Sequence, residues 1–195
     1  AVLYATGRNP NTANIGLENT DITTNERGAI VVNDTCESSV PGVYAVGDVN
    51  GGPQFTYVSL DDFRIVFGTL TGNGQYTLKD RKNIPYTTFL TPPLSRVGLT
   101  EEDAINQGYT VKTKEMLVAT MPRAHVNDYL KGAFKIVVNA DNDLILGATL
   151  YSQGAEELIN LIKMAMDNNI PYTYFKNQIF THPTMAENLN DLCNF

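Results

Sequence analysis

The sequence predicts an α+β fold, in which an antiparallel sheet and its helices occupy the second half of the chain. Residues 133–138 and 144–150 read as two strands of a hairpin, because a turn sequence, Asp141-Asn-Asp143, lies between them. Residues 154–168 carry apolar side chains at the spacing of one helix face. The first half instead shows the order strand, Gly-Asp, loop, helix over residues 43–70. We therefore expect two domains, residues 1–82 and 83–195.

Short strands are expected in the first half. Residues 1–5 read as a buried strand that breaks at Ala5-Thr-Gly-Arg8, and residues 28–32 read as a second strand. Residues 43–46 form a third, buried strand that stops at Gly47-Asp48. Residues 54–70 have helical period, and Asp62 is expected on the exposed side of that helix. The apolar residues expected on its other side are Phe55, Val58, Phe63, Val66 and Phe67.

The Gly47-Asp48 pair has two interpretations. Glycine lets a ligand approach the backbone closely, and an adjacent aspartate can accept hydrogen bonds from a sugar or polyol hydroxyl. The following helix would offer free backbone N–H groups and a positive dipole end to an electron-rich atom. Alternatively, the pair is an ordinary turn with a self-capping aspartate, which is common.

A helix of the second half is expected to begin after Thr100. Thr100 precedes Glu101-Glu-Asp103, so a hydroxyl N-cap and acidic residues meet at the positive end of a helix. The later helix, 154–168, presents an apolar stripe that is expected first of all to be core. That stripe consists of Leu158, Leu161, Ile162, Ala165 and Met166.

Near the end of the chain, His182 and Glu187 form a candidate acid–base pair. His182 precedes Pro183, which disfavours helix at the histidine and favours a helix after it, over about 183–192. A carboxylate on one imidazole nitrogen would fix the tautomer and leave the other nitrogen to move a proton. The alternative is structural, because Thr184 and Glu187 also have the spacing of a capping box.

Composition excludes several classes of function. With a net charge of −7 and no basic run longer than Arg81-Lys82, nucleic acid is not an expected partner, and no apolar run is long enough to span a membrane. Cys36 and Cys193 are too far apart for a metal motif, and His125 has no second ligand at metal spacing, so no metal site is expected. We interpret the cysteines as bystander thiols of a cytoplasmic protein. The chain starts at Ala1, without a methionine, and we expect it to be part of something longer.

Three motifs occur in order along the chain: Ala5-Thr-Gly-Arg-Asn-Pro10, Ser39-Val-Pro-Gly-Val-Tyr-Ala-Val-Gly-Asp48 and His182-Pro-Thr-Met-Ala-Glu187. Together they resemble the class I pyridine nucleotide–disulfide oxidoreductases, the family of glutathione reductase, dihydrolipoamide dehydrogenase and mercuric reductase. Residues 92–104 are similar to the opening of the family's dimerisation domain, and residues 51–64 to its reactive-chlorine-resistance branch. The resemblance implies that a C-terminal remnant of an α/β FAD-binding domain precedes an α+β dimerisation domain.

The resemblance also implies roles for individual residues. Asp48, with Gly47, would hold the ribityl chain of FAD, and Thr56 would offer a backbone N–H to the flavin ring. Thr6 and Gly7 would pack near the cofactor. His182 would be the acid–base for an active-site thiol, with Glu187 as its orienter, and would serve the site of the other subunit of a homodimer.

The implied function is that of a flavoprotein which passes electrons from NADH or NADPH through FAD to a disulfide, metal-ion or other oxidised small-molecule substrate. The redox CxxxxC pair and both GxGxxG turns of the family are absent from this sequence, so these 195 residues alone are not expected to catalyse the reaction. The alternative is an interaction module that retains the dimerisation fold without the redox centre.

Overall fold

The computed structural model describes residues 1–195, which form two compact units, residues 1–81 and 82–195. The division lies one residue before the boundary that the sequence predicts. None of the helices has both the length and the hydropathy that a membrane span requires.

The unit of residues 1–81 contains one long helix, α1 (Thr56–Thr71), and three short 3₁₀ turns, Leu17–Asn19, Gly47–Asn50 and Leu78–Asp80. The strands predicted in this unit are wrong as continuous elements. Residues 28–32 and 43–46 contribute only isolated bridges, Thr24 with Ile30 and Glu37 with Tyr44.

The predicted buried strand at residues 1–5 is also wrong. The segment has no regular secondary structure, and Val2, Leu3 and Tyr4 are each more than 80% exposed. A strand needs a neighbour for its backbone N–H and C=O groups, and no segment of this chain pairs with residues 1–5. Val43 and Val46 are likewise exposed rather than buried.

Helix α1 forms where predicted but buries a different face. Its buried side chains are Val58, Asp62 and Ile65, whereas Phe63 and Phe67 are more than half exposed. The prediction that Asp62 faces solvent is therefore wrong. The reason is that Asp62 has polar partners inside the unit, which compensate for the loss of water.

The second unit is built on a five-stranded sheet in which every neighbouring pair is antiparallel, in the order β1-β2-β5-β4-β3. The strands are β1 (Tyr86–Thr88), β2 (Leu94–Gly98), β3 (Val111–Leu117), β4 (Ala133–Asn139) and β5 (Ile145–Tyr151). The predicted hairpin is β4 and β5, whose register pairs Ala133 with Tyr151 and Ile136 with Ala148.

Five helices accompany this sheet: α2 (Glu101–Asn106), α3 (Pro122–Val126), α4 (Ala155–Asp167), α5 (Tyr172–Asn177) and α6 (Asn188–Leu192). The predicted cap at Thr100 is confirmed, since its side chain accepts a hydrogen bond from the Asp103 backbone N–H. Helix α4 packs on the sheet, and Leu158 and Ile162 join Phe134 and Leu150 in one buried cluster. Leu161, predicted on the buried stripe, is instead 37% exposed.

Candidate active site

The loop between α5 and α6 places His182 against Glu187. The imidazole Nδ1 lies 2.7 Å from Glu187 Oε2. The histidine side chain is 69% exposed and the glutamate side chain only 18%. A largely buried carboxylate thus holds one edge of an exposed ring, and Nε2 has no hydrogen-bond partner in this chain.

Thr184 and Glu187 also exchange two hydrogen bonds in the reciprocal pattern of a capping box, although α6 begins only after Glu187. The backbone N–H of Thr184 donates to Glu187 Oε1 at 3.0 Å, and the backbone N–H of Glu187 donates to Thr184 Oγ1 at 3.2 Å. Each carboxylate oxygen therefore has its own partner, and the structural and chemical interpretations do not compete.

The helix predicted over 183–192 is shorter than expected, because α6 begins only at Asn188. Residues 183–187 form turns in which side chains take the hydrogen bonds that a first helical turn would supply. The Thr184 hydroxyl, for example, donates to the Thr181 carbonyl at 2.7 Å. Glu187 consequently occupies the N-cap position, where its carboxylate can reach back to His182.

The segment that carries His182 is anchored from α6. Asn190 donates from its side-chain amide to the carbonyls of Phe175 at 2.6 Å and Gln178 at 2.9 Å. Leu189 and Leu192 on the same helix are fully buried. The loop before the histidine is therefore tied to a helix that is itself fixed in the core.

The electrostatics of the pair favour an ionised glutamate. The hydrogen bond from His182 lowers the pKa of Glu187 most, and the backbone N–H of Thr184 lowers it further against the opposing effect of burial. A carboxylate on Nδ1 selects the neutral tautomer that carries its proton on Nδ1. Nε2 is then the atom that can accept and release a proton.

The predicted cofactor residues lie in the first unit. Gly47 opens the 3₁₀ turn Gly47–Asn50 with φ +74°, and a Cβ there would lie 2.7 Å from Ser59 Oγ, so the turn packs closely on α1. The Asp48 side chain is 53% exposed and lies 4.0 Å from the Arg8 guanidinium. Thr56 is the first residue of α1, and no side chain caps that end of the helix.

Thr6 and Gly7 lie in the exposed, irregular first segment. Their neighbour Arg8 reaches Asp48, but neither Thr6 nor Gly7 makes a hydrogen bond to the turn. Their role beside a cofactor stays a prediction.

Sequence reasoning missed the residues that hold the Gly47–Asn50 turn in place. Asp62 Oδ2 accepts from the Gly47 backbone N–H at 2.8 Å and from the Asn50 amide at 2.9 Å, and Arg81 binds the other carboxylate oxygen. One signal was available. Asp62 follows Val58 by four residues and precedes Ile65 by three, which places all three on one helix face.

The thiols and the second histidine have ordinary environments. Cys36 and Cys193 are free and buried, and burial is the main cause that raises their pKa to about 11 and about 12. His125 is exposed, with Nε2 2.8 Å from the Ala119 carbonyl oxygen. No group of three His, Cys, Asp or Glu side chains is arranged to hold a metal ion. Protonated, buried thiols fit the interpretation of both cysteines as bystanders.

Comparison with known families agrees with the motifs. Residues 84–193 match the family described as "Pyridine nucleotide-disulphide oxidoreductase, dimerisation domain". Residues 1–62 match the family described as "Pyridine nucleotide-disulphide oxidoreductase". The chain belongs to the pyridine nucleotide-disulphide oxidoreductases. The predicted α+β dimerisation domain, preceded by part of a second domain of this family, is confirmed.

Individual proteins of this family are similar to almost the whole chain. It is 48% identical to the probable pyridine nucleotide-disulfide oxidoreductase RclA of Escherichia coli, over 98% of this chain and 44% of that protein. It is 36% identical to a mercuric reductase of Staphylococcus aureus, over 96% of this chain and 34% of that protein. The chain thus spans less than half the length of these relatives.

A solved structure is similar throughout the chain. The "HOCl-induced flavoprotein disulfide reductase RclA from Escherichia coli" matches with a TM-score of 0.94 and 48% identity, over 97% of this chain and 43% of that chain. This agrees with the resemblance of residues 51–64 to the reactive-chlorine-resistance branch.

Proposed function

We propose that the full-length protein is a homodimeric, FAD-dependent oxidoreductase that passes electrons from NADH or NADPH through the flavin to an oxidised substrate. The observation that carries this proposal is the exposed His182 ring, whose Nδ1 is held 2.7 Å from Glu187. A pure interaction module would have no use for an oriented imidazole with its second nitrogen available. The family match supports the same class of activity.

In this proposal His182 is the acid–base of a disulfide reduction. When a substrate disulfide is cleaved by a protein thiolate, one substrate sulfur leaves and needs a proton. Nε2 of the protonated ring donates that proton, and the first protein sulfur is left in a mixed disulfide with the substrate. The neutral ring then takes the proton of the second protein thiol, whose thiolate attacks the mixed disulfide, closes the protein disulfide and releases the second substrate sulfur, to which the ring returns the proton. Glu187 keeps the ring oriented throughout and stabilises its charged form.

The dyad is proposed to act across a dimer. The sequence of this chain contains no CxxxxC pair, and its own two cysteines are buried and protonated, so the thiols that His182 serves lie elsewhere. The match of residues 84–193 to a dimerisation domain supports a second subunit as the location of that site. Dimerisation would then be a condition for turnover.

The residues of the first unit fit a flavin cofactor in the donor groups that they offer. Asp48 presents an exposed carboxylate, which accepts hydrogen bonds from hydroxyl groups such as those of a ribityl chain. The start of α1 at Thr56 is not capped by a side chain, so its backbone N–H groups can donate to an electron-rich atom. FAD, when bound, supplies the two-electron transfer between the nicotinamide and a thiol pair.

The substrate is proposed to be a disulfide, a soft metal ion or another small oxidised compound. The Escherichia coli relative is described as an HOCl-induced disulfide reductase, and a Cu(II) complex of it has been solved. The Staphylococcus aureus relative is described as a mercuric reductase. We propose the cytoplasm as the compartment, since the chemistry depends on free thiols.

The visible spectrum of the full-length protein, before and after anaerobic addition of NADPH or NADH, tests this proposal. A flavin spectrum that gains a long-wavelength thiolate-to-flavin band on reduction is the expected result. A flavin that bleaches without this band would contradict the thiol chemistry and leave a flavin oxidoreductase of another kind. The absence of flavin, also after incubation with added FAD, would favour the interaction module.

A further inference from the structure

The most buried charged group of the first unit is the carboxylate of Asp62. It is 1% exposed, in the middle of α1, where neighbouring buried positions are aliphatic. Its ionic partner Arg81 follows the 3₁₀ turn Leu78–Asp80 and has a side chain only 12% exposed. Arg81 also binds Asp61, at 2.7 Å, through its Nε.

Both carboxylate oxygens of Asp62 have hydrogen-bond partners. One oxygen faces the Arg81 guanidinium, and the other accepts from the Gly47 N–H and the Asn50 amide. A buried ion pair adds little stability over apolar side chains of similar size, since both charges must lose water. Its presence is better explained by the geometry that it imposes, and that geometry is the position of the Gly47–Asn50 turn.

The turn is fixed at three of its four residues. Asp62 binds the backbone of Gly47 and the side chain of Asn50, and the carbonyl of Val49 accepts from the Ile30 N–H at 2.9 Å. Gly47 also packs closely on Ser59, and its φ of +74° disfavours any residue with a side chain at this position. Asp48 alone keeps an exposed side chain without a tight partner, because Arg8 is 4.0 Å away.

We propose that Asp62, held by Arg81, is a positioning residue that sets the orientation of the Gly47–Asn50 turn so that Asp48 can bind the flavin cofactor. This inference rests on the proposed function. Asp62 itself does not touch the cofactor and acts only through the backbone of Gly47 and the side chain of Asn50. Without it, the turn keeps the Val49 contact and the 3.3 Å hydrogen bond from the Asn50 amide to the Ala45 carbonyl but loses the two bonds to Asp62, and Asp48 is less well pre-organised.

The chain offers a matched control. Asp61 and Asp62 are neighbours in sequence and both bind Arg81, but only Asp62 contacts the turn. Asp62→Asn and Asp61→Asn each remove one negative charge and one ion pair with the same arginine. A general effect of weakening Arg81 would appear in both variants, whereas an effect on the turn would appear only in Asp62→Asn.

The experiment is a titration of FAD into the flavin-free, full-length protein, followed by flavin fluorescence, with thermal unfolding of each flavin-free variant measured in parallel. We expect Asp62→Asn to raise the Kd for FAD about tenfold, equivalent to about 1.4 kcal/mol. Asp61→Asn should leave the Kd within about twofold of the wild-type value, since a twofold change is within the non-additivity of independent sites.

Hydrogen exchange supplies a readout that does not need the cofactor. In the flavin-free protein, the peptide containing residues 47–50 should exchange faster in Asp62→Asn than in Asp61→Asn or the wild type. If Asp62→Asn does not fold, Asn50→Ala, which removes the side chain that Asp62 holds but leaves the ion pair of Asp62 with Arg81 intact, should show both effects.

Two results would overturn the inference. Equal Kd values for the wild type and Asp62→Asn would show that the turn does not depend on this carboxylate. Equal losses in Asp61→Asn and Asp62→Asn, together with equal falls in Tm, would show a general stability effect. A wild-type protein that binds no FAD would instead refute the proposed function, and with it the basis of this inference.

Discussion

The two regions that carry the candidate functional groups are built in opposite ways. His182 is oriented by a carboxylate five residues further along the chain. Asp48 lies on a turn whose orientation depends on Asp62 and Arg81, and these two are 19 residues apart. The first arrangement depends on local side-chain hydrogen bonds, and the second on a buried tertiary ion pair.

The difference shows two ways to fix the position of an exposed functional group: through its own side chain or through its backbone. At the histidine, one exposed ring is fixed by a partner that is only 18% exposed. At the aspartate, the functional side chain is left without a tight partner and its backbone is fixed instead. Variants of the exposed His182 should therefore change chemistry with little effect on folding, whereas variants of the second region should change cofactor binding.

The largest expected effect belongs to His182→Ala in the full-length enzyme. Turnover with a disulfide substrate should fall by roughly 10²–10⁴, the usual contribution of a positioned acid–base. Because the ring is largely exposed, Tm should hardly change. Steady-state kinetics and thermal unfolding of the same preparation test both parts.

The control for that variant is His125→Ala. His125 is also exposed, but its Nε2 is hydrogen-bonded to a backbone carbonyl and it has no carboxylate partner. Its replacement should leave turnover unchanged. If His125→Ala lost as much activity as His182→Ala, or if neither lost any, the role of the dyad would be wrong.

Glu187→Gln should have the next largest effect. The amide can still accept a hydrogen bond, but it no longer stabilises the charged ring. Turnover should fall by about 10- to 100-fold, the loss found when an orienting partner of a functional histidine is removed from metal sites. The turnover of this variant should lie between those of the wild type and His182→Ala, and a loss equal to that of His182→Ala would make Glu187 more than an orienter.

The carboxylate of Glu187 should also make the free energy of unfolding depend on pH. The pKa of Glu187 is lowered in the folded protein, chiefly by the hydrogen bond from His182. Its ionised form therefore stabilises the fold above the unfolded-state pKa of about 4.3, and this contribution is lost as pH falls through the lower folded-state pKa. Denaturant unfolding should show a difference between wild type and Glu187→Gln at neutral pH that shrinks on acidification. A difference that grows on acidification would contradict the prediction.

Asn190→Ala tests whether α6 holds the segment that precedes His182. The variant removes the amide that joins the carbonyls of Phe175 and Gln178. We expect a loss of about 1–3 kcal/mol in the free energy of unfolding, because partly buried carbonyls lose their donor. Asn168→Ala is the control, since the exposed Asn168 amide makes a single bond to Met164 within its own helix end. A smaller loss for Asn190 than for Asn168 would show that α6 does not hold the loop.

The smallest effect is expected for Arg8→Ala. The Arg8 and Asp48 side chains are 70% and 53% exposed and their charged atoms are 4.0 Å apart. Such a pair contributes less than about 0.5 kcal/mol and is screened by salt. Thermal unfolding at low and high ionic strength should not separate Arg8→Ala from the wild type. A fall in Tm as large as that of Asp62→Asn would contradict the prediction that the exposed partner of this turn contributes less than the buried one.

Predictions from the sequence succeeded where the relevant contacts are close along the chain. The hairpin of β4 and β5 forms because its two strands flank a short turn, and Thr100 caps α2 through a residue three positions away. The start of α6 was predicted too early, since side chains of Thr184 and Glu187 satisfied groups that a helix would otherwise bind.

The family, the antiparallel dimerisation fold and the candidate pairing of His182 with Glu187 could be predicted from the sequence, because they depend on motifs, turns and hydrogen bonds between residues close along the chain. The lack of a strand at residues 1–5 and the burial of Asp62 instead of the phenylalanines of α1 became visible only in three dimensions. Pairing of strands and burial of a charge both depend on partners distant in sequence. A carboxylate can be buried only where the fold brings donors such as the Gly47 N–H and the Arg81 guanidinium to it.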